Sequence, residues 1–113
     1  MTIDGLRFSI LASLAVGPQH GYGILCDIEE TSDGPPPPVG SLYRVLDRLA
    51  ADGLVVDAGS EIVEGRHRRY YQLTATGAAA LEAAADSRAR SARVARQRLR
   101  RLPTGAPSRE VTA

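Results

Sequence analysis

Apolar residues recur at intervals of three and four positions along most of the chain, which is the spacing of helices with one buried face. The first such segment covers residues 4–16 and is ended by Gly17 and Pro18, which do not continue a helix. A second, shorter segment follows His20 and ends near Thr31. We therefore predict two helices joined by a short turn, with His20 fixing the start of the second.

The third segment, residues 39–53, has the clearest two-sided pattern. Its apolar side consists of Leu42, Val45, Leu46 and Leu49. Its opposite side carries Ser41, Arg44, Asp47 and Arg48. Residues 32–38 before it include four prolines and predict a stiff connector, and Gly53 is a predicted left-handed cap at its end. Such a polar face is typical of a solvated surface helix, and it also suits a helix that enters the major groove of DNA.

A strand pattern follows this third helix. Residues 54–56 are apolar, residues 57–65 are rich in glycine and acidic groups, and residues 67–74 contain aromatic and β-branched members. We predict two short strands joined by a loop over residues 57–65, which together make a β-hairpin. The tip of this hairpin carries Arg66, Arg68 and Arg69, and Tyr70 and Tyr71 follow on the returning strand.

The last segment predicts one long helix over residues 75–102, capped by Thr74 or Thr76. Its apolar positions form a heptad-like seam, interrupted by Arg88, that consists of Leu81, Ala85, Ala92, Ala95, Leu99 and Leu102. A long helix with so few large apolar residues gains little by packing on itself, so we expect a partner helix. A solvated basic helix is the alternative. Residues 103–113 are rich in Pro, Gly, Ser and Thr, and we expect them to be disordered.

Composition and charge limit the class of protein. A chain of 113 residues is enough for one small domain. Residues 1–64 hold 3 arginines against 10 acidic residues, a net charge of −7, whereas residues 65–113 hold 11 arginines against 3 acidic residues, a net charge of +8. The basic groups are therefore concentrated where an anionic partner can meet them.

Cysteine usage and apolar stretches bear on the cellular compartment. Cys26 is the single cysteine, so no intramolecular disulfide can form and a reducing interior is the simplest setting. The longest apolar stretch, around residues 10–16, is too short to cross a bilayer, and no targeting pattern begins the chain. We expect a cytoplasmic protein that does not insert into membranes.

Catalytic and metal-binding patterns are missing from the sequence. No nucleophile, base and orienting group can be proposed together, and no glycine-rich phosphate loop follows a strand. His20, His67, Cys26 and the carboxylates do not fall at metal-ligand spacing. We therefore expect no enzyme and no cofactor. His67 is either a pH-sensitive contact or an incidental loop residue.

The order helix, helix, helix, hairpin, helix is that of a winged helix-turn-helix, and three blocks of the sequence point to a family with this fold. They are HGYGI at residues 20–24, GSLYRVLDRLAADGLV at residues 40–55 and GRHRRYYQLTATG at residues 65–77. Together they cover about residues 10–81 and resemble the PadR-type transcriptional regulators. The expected architecture is mainly α with a small β-hairpin: a winged helix DNA-binding domain at residues 1–74, a long C-terminal dimerisation helix at 75–102 and a disordered tail at 103–113.

The resemblance implies a homodimeric regulator, usually a repressor, that binds an inverted repeat in double-stranded DNA. In such proteins the third helix enters the major groove, the wing touches the flanking DNA, and the C-terminal helix forms much of the dimer interface. Many members release DNA when a small apolar or phenolic molecule binds near the dimer centre. The last helix of this chain departs from the family in carrying mostly Ala and Arg where larger side chains are usual.

Candidate DNA contacts lie on the third helix and on the predicted wing, residues 57–69. Arg44 and Arg48 are expected to read bases, since a guanidinium can donate two hydrogen bonds to guanine. Tyr43 is expected either to reach the DNA backbone or to pack against the second helix. The full set is Gly40, Ser41, Tyr43, Arg44, Arg48, Arg66, Arg68, Arg69 and Tyr70. The alternative function is a winged-helix protein-interaction module whose basic last helix docks on an acidic partner.

Overall fold

The computed structural model describes residues 3–32 and 34–103 of the chain. Three helices form its first half: α1 (Gly5–Leu14), α2 (Gly21–Thr31) and α3 (Val39–Ala51). Asp4 caps α1 by accepting a hydrogen bond from the Arg7 amide at 2.9 Å. All three helices lie within two residues of the bounds predicted from the apolar spacing, so this part of the prediction is confirmed.

The hydrophobic core lies where these three helices meet. The apolar side of α3, predicted from its spacing, is buried through Leu42, Leu46 and Leu49, and Val45 is partly buried beside them. Burial of a side chain of this size stabilises the fold by roughly 1.5–3 kcal/mol. The other members of the core come from α1, α2 and the sheet: Ile10, Leu11, Leu14, Ile24, Ile28, Leu54, Val55 and Tyr71.

The ends of α3 are set by proline and glycine. Pro38 occupies the N-cap position with extended backbone and gives the helix no side-chain cap. At the other end Gly53 adopts a φ of 76°, the left-handed conformation that was predicted for it. The chain therefore enters α3 through a stiff proline segment and leaves it through a sharp turn toward the sheet.

Three antiparallel strands make a small sheet: β1 (Gln19–His20), β2 (Val55–Val63) and β3 (Arg66–Leu73), in the order β1-β3-β2. The pairing of Gln19 with Tyr71 and of His20 with Tyr70 joins β1 to β3. The sequence did not reveal β1, because a strand of two residues is too short to show any periodicity. This strand fastens the start of α2 to the hairpin.

The hairpin of β2 and β3, residues 55–73, is the wing of this protein, and the prediction of a loop over residues 57–65 was wrong. Only Glu64 and Gly65 form the turn, with φ values of 51° and 77°, as in a type I′ hairpin turn. A bulge between Asp57 and Ser60 interrupts the ladder, and there the Asp57 carboxylate accepts a hydrogen bond from the Gly59 amide at 2.7 Å. Most of β2 is exposed on both faces, so buried and exposed residues do not alternate along it as in a strand with one buried face.

The last helix, α4 (Ala75–Arg100), starts at Thr74 as predicted. The Thr74 hydroxyl accepts a hydrogen bond from the Gly77 amide at 2.9 Å and donates one to the Gly53 carbonyl at 2.7 Å. Gly77 packs against the backbone of Leu54, which leaves no room for a side chain. This end of α4 is therefore fastened to the turn that follows α3.

Beyond its first turns α4 leaves the body of the domain. Ala84 is buried and Leu81 packs partly on the core, while every described residue from Ala85 onward is exposed. Arg88 holds the helix against α1: its guanidinium lies 4.1 Å from the centre of the Phe8 ring and donates to the Ile3 carbonyl at 3.4 Å. Leu102 lies beyond the end of the helix. Residues 104–113 of the predicted tail lie outside the described residues.

Candidate nucleic-acid interface

The face of α3 that points away from the core carries the candidate base-reading residues. Arg44 and Arg48 are exposed and lie one helical turn apart, on the side opposite the buried leucines. Within the part of the chain that the structure describes, neither arginine makes an ion pair. Their guanidinium groups are therefore available to an external partner.

The first turn of α3 is open. Gly40 is exposed, and a side chain built there would meet nothing within 4 Å. Because Pro38 supplies no side-chain cap, the first amides of the helix do not meet a capping side chain, and Ser41 stands beside them half-buried. An anion such as a phosphate can satisfy such amides.

Tyr43 packs against the second helix, which is one of the two placements that the sequence left open. Its ring lies against Gly21 at the start of α2, so close that a side chain at position 21 would overlap it. The residue is nevertheless 42% exposed and lines the cleft beside the wing. Tyr43 thus packs against the second helix while keeping part of its surface open to solvent.

The three wing arginines differ in their surroundings. Arg66 is exposed beside the turn, whereas Arg68 is half-buried and lies on the strand rather than at the tip. Arg69 pairs with the Asp57 carboxylate across the hairpin at 3.5 Å. Both members of that pair are more than half exposed, so the pair contributes little stability and an incoming phosphate can replace Asp57.

Tyr70 is held by two contacts inside the protein. Its hydroxyl donates a hydrogen bond to Glu61 at 2.6 Å, and this bond raises the pKa of Tyr70. Its ring meets the edge of the His20 ring, with centroids 5.3 Å apart and planes at 86°. The Tyr70 hydroxyl is therefore engaged with the wing itself.

His20 caps α2, as the sequence predicted. Its Nδ1 accepts a hydrogen bond from the Gly23 amide at 3.2 Å. Burial lowers the pKa of His20, the positive charge of Arg68 lowers it further, and Glu61 opposes both. The second histidine, His67, lies on exposed β3, with Nε2 3.1 Å from the Ser60 hydroxyl.

A cleft of about 460 Å³ opens between the start of α2, the side of α3 and the wing. Its lining carries positive and aromatic groups and consists of His20, Tyr22, Tyr43, Arg66, His67, Arg68 and Arg69. Four of these residues were predicted from the sequence as DNA contacts, whereas His20, Tyr22 and His67 were not. His20 and Tyr22 belong to the HGYGI block that resembles the family. Only the pairing of β1 with β3, however, brings them next to the wing arginines.

The structure gives little support for a metal site or a membrane-spanning segment. The described ranges contain no cluster of three or more His, Cys, Asp or Glu side chains able to hold a metal ion. No helix among those residues is both long and apolar enough to cross a membrane. The Cys26 thiol, one turn along α2, interacts with the Tyr22 phenol and raises the pKa of Tyr22.

Comparison with known proteins identifies relatives by sequence. The model of the transcriptional regulator PadR-like family matches residues 10–83. A transcriptional regulator of Mycobacterium tuberculosis is 38% identical over 76 residues, which are 67% of this chain and 68% of that protein. An uncharacterised protein encoded in a transposon of Streptomyces fradiae is 40% identical over 93 residues, or 80% of this chain. The chain spans 25% of the length of that protein.

Solved structures share the fold. A PadR family transcription regulator from Clostridium difficile superimposes with a TM-score of 0.74 at 24% identity, over 85% of this chain and 99% of that one. PadR of Bacillus subtilis, solved in complex with operator DNA, gives a TM-score of 0.62 at 23% identity, over 70% of this chain and 45% of that one. At these identities the likeness establishes the winged-helix architecture.

Proposed function

The chain belongs to the PadR-like family of transcriptional regulators, and on that basis we propose that it is a homodimeric repressor that binds an inverted repeat in double-stranded DNA. Proteins of this family are regulators of transcription and not enzymes. Such a protein works beside the chromosome, so we place it in the cytoplasm. The operator-bound state of the Bacillus subtilis relative, which has the same fold, supports this proposal.

One observation supports DNA reading most directly: Arg44 and Arg48 are exposed on the outer face of α3, and their guanidinium groups form no ion pair with any residue that the structure describes. A helix presented in this way fits the major groove, where arginine donates two hydrogen bonds to guanine. Asp47 lies between them on the same face and either orients one of them or accepts from cytosine. Gly40 and Ser41 sit at the open first turn, where a phosphate can approach the amides.

The wing supplies attraction that does not depend on sequence. Arg66, Arg68 and Arg69 lie on β3 and share a cleft with Tyr43 of α3. Contacts of this kind hold phosphates and set the register of a protein on the duplex. Tyr70 acts here by fixing Glu61 and His20 rather than through its own hydroxyl, which is already engaged.

Dimerisation is proposed to use the part of α4 that extends from the domain. Every described residue of this part is exposed within its own chain, although Arg88 contacts the Phe8 ring and the Ile3 carbonyl. Its small or apolar side chains form the remainder of the predicted seam: Ala85, Ala92, Ala95, Leu99 and Leu102. Leu81, which was assigned to the same seam, packs partly on the core of its own chain and serves as the start of the seam. A two-fold dimer matches the symmetry of an inverted repeat.

A small apolar or phenolic effector is proposed to act at the junction of α4 with the body of the domain. A groove of about 440 Å³ lies there, lined on its apolar side by Ile3, Leu54, Ala80, Ala83 and Ala84. A ligand in this groove would change the angle at which α4 leaves the domain, and with it the spacing of the two α3 helices in a dimer. Addition of such a ligand should then weaken DNA binding without unfolding the protein.

The arginines of α4 support the second candidate function, a protein-interaction module for an acidic partner. Six of them lie between residues 88 and 100, and Arg101 follows at the end of the helix, all at exposed positions. The two functions differ in what the outer face of α3 does, because an interaction through α4 leaves Arg44 and Arg48 without a role. The reading of DNA by α3 accounts for these two residues and for the wing arginines together.

Fluorescence anisotropy with duplex DNA from the region upstream of its own gene tests the proposal. We expect binding to an inverted repeat, with affinity that falls steeply as salt increases because bound arginines release counterions from phosphates. A scrambled duplex of equal length is the control for sequence specificity. Failure to bind any part of that region, or binding that ignores salt, would favour the interaction module.

A further inference from the structure

Base reading by α3 does not account for the cleft between the start of α2 and the wing. Its lining holds three arginines, two histidines and two tyrosines, and no carboxylate of the described residues. We propose that this cleft holds one phosphate of the DNA backbone, with Arg68 and Nε2 of His20 as its donors. The inference rests on the proposed function and assigns His20 a part in it.

One edge of β3 is partly free where its residues line this cleft. The strand β1 pairs with β3 only at Tyr70 and Tyr71, whereas β2 pairs with the other edge of β3 from Arg66 to Leu73. On the β1 side, residues 66–69 therefore meet no neighbouring strand among the described residues. Alternate residues of an edge strand direct their amides outward, so this part of β3 has backbone donors that no strand pairs.

The hydrogen bond of His20 determines which ring nitrogen can donate. Because Nδ1 accepts from the Gly23 amide, the proton of the neutral ring resides on Nε2. The ring is held in place by the edge-to-face contact with Tyr70, and it lines the same cleft as Arg68. His20 thus offers an oriented, uncharged donor beside a guanidinium, and Glu61, the nearby carboxylate, is engaged by the Tyr70 hydroxyl.

The position of the cleft favours a backbone phosphate over a free anion. The cleft lies between Tyr43 on α3 and the arginines of the wing. If α3 occupies the major groove and the wing contacts the flanking duplex, the strand of backbone between them must cross this cleft. Its volume of about 460 Å³ is in the range of sites that hold whole organic ligands, so it admits a phosphate with its neighbouring sugars.

Replacement of single phosphates by uncharged methylphosphonates tests the assignment. Each linkage of the operator is replaced in turn, and affinity is measured at constant salt by fluorescence anisotropy. For the unmodified protein we expect one linkage in each half-site at which the replacement weakens binding about tenfold. This is the effect expected when a charge-assisted pair of hydrogen bonds is lost. In Arg68→Gln and in His20→Asn, the same replacement should weaken binding less than about threefold.

The controls separate this site from the rest of the interface. Asn is a good N-cap, so His20→Asn keeps α2 capped while it removes the Nε2 donor, and thermal unfolding checks that the fold is kept. Arg44→Gln changes the outer face of α3 and should retain the full effect at the identified linkage. Inorganic phosphate exchanged for chloride at equal ionic strength should leave the NMR signals of the His20 ring unchanged in the absence of DNA.

Three outcomes would overturn the inference. If the protein binds its operator with the expected salt dependence but no linkage is coupled to Arg68 and His20, the phosphate site is wrong and the proposed function stands. Saturable binding of inorganic phosphate at His20 would show a site for free anions instead. If the protein binds no DNA, the proposed function fails and the phosphate site fails with it.

Discussion

The ring of Tyr43 on α3 lies directly against Gly21 at the start of α2, with no side chain between them. This contact sets the distance between the helix that carries Arg44 and Arg48 and the strand β1, because Gly21 follows His20 immediately. The outer face of α3 and the wing are therefore positioned relative to each other through a glycine. A side chain at that place would displace one element from the other.

Gly21→Ala should reduce the free energy of unfolding by about 1 to 3 kcal/mol, because its methyl group overlaps the Tyr43 ring in a closely packed position. Urea-induced unfolding followed by circular dichroism measures the loss. Gly40→Ala is the matched control for stability, since a methyl group there meets nothing within 4 Å. The same control should nevertheless weaken DNA binding if a phosphate approaches the first turn of α3. Equal unfolding energies for Gly21→Ala and the unchanged protein would contradict the role of this contact.

Arg48→Ala and Arg68→Ala should have different effects on DNA binding. Arg48 faces outward on α3, so its loss should reduce discrimination between operator and random DNA by about 1 to 3 kcal/mol. Arg68 lies on the wing strand, so its loss should weaken both kinds of DNA to a similar extent and lower the slope of the salt dependence. Affinities for both duplexes at several salt concentrations measure these effects. The assigned roles are wrong if the two phenotypes are exchanged.

The stability of the fold should decrease at mildly acidic pH because of His20. Burial and Arg68 lower the pKa of His20 from its ordinary value of 6.5, and Glu61 opposes them, so the unfolded chain binds the proton more readily than the folded one. The contribution of His20 to the free energy of unfolding is therefore complete above pH 6.5 and is lost as the pH falls below that value toward the lower folded-state pKa. Protonation also removes the acceptor that caps α2.

Urea unfolding measured from about pH 8 to about pH 5 tests this dependence. His20→Asn should make the free energy of unfolding depend less on pH, because Asn caps the helix at every pH in that interval. His67→Asn is the control for the other histidine and should keep the profile of the unchanged protein. A profile that is identical in His20→Asn and the unchanged protein would assign the pH dependence elsewhere.

Leu99→Glu should weaken self-association by at least about tenfold, because it buries an unpaired charge in the proposed dimer seam. Leu99 is 63% exposed within its own chain, so the substitution should leave the folded domain intact. Gln97→Glu introduces the same charge on the opposite side of α4 and is the matched control. Sedimentation equilibrium over a range of protein concentrations distinguishes the two. Dissociation caused by Gln97→Glu and not by Leu99→Glu would assign the seam to the other face.

Some features of the binding surface followed from local sequence. Leu42, Leu46 and Leu49 fixed which side of α3 faces the core, and this left Arg44 and Arg48 on the outside without any knowledge of the partner elements. The spacing was sufficient because helical periodicity is a property of neighbouring residues along the chain. The cleft residues His20 and Tyr22 could not be linked to the arginines in this way, since no local pattern reports on contacts between distant segments.

The sequence by itself determined the four helices, their approximate ends and the class of protein, because proline, glycine, capping residues and apolar spacing act over a few residues. Tertiary structure alone decided the pairing of His20 with Tyr70, the full length of the wing and the point at which α4 leaves the domain. Strand pairing joins residues far apart in the chain, and the exposed wing has no alternating pattern to reveal it. The phosphate site proposed for the cleft depends on those long-range contacts.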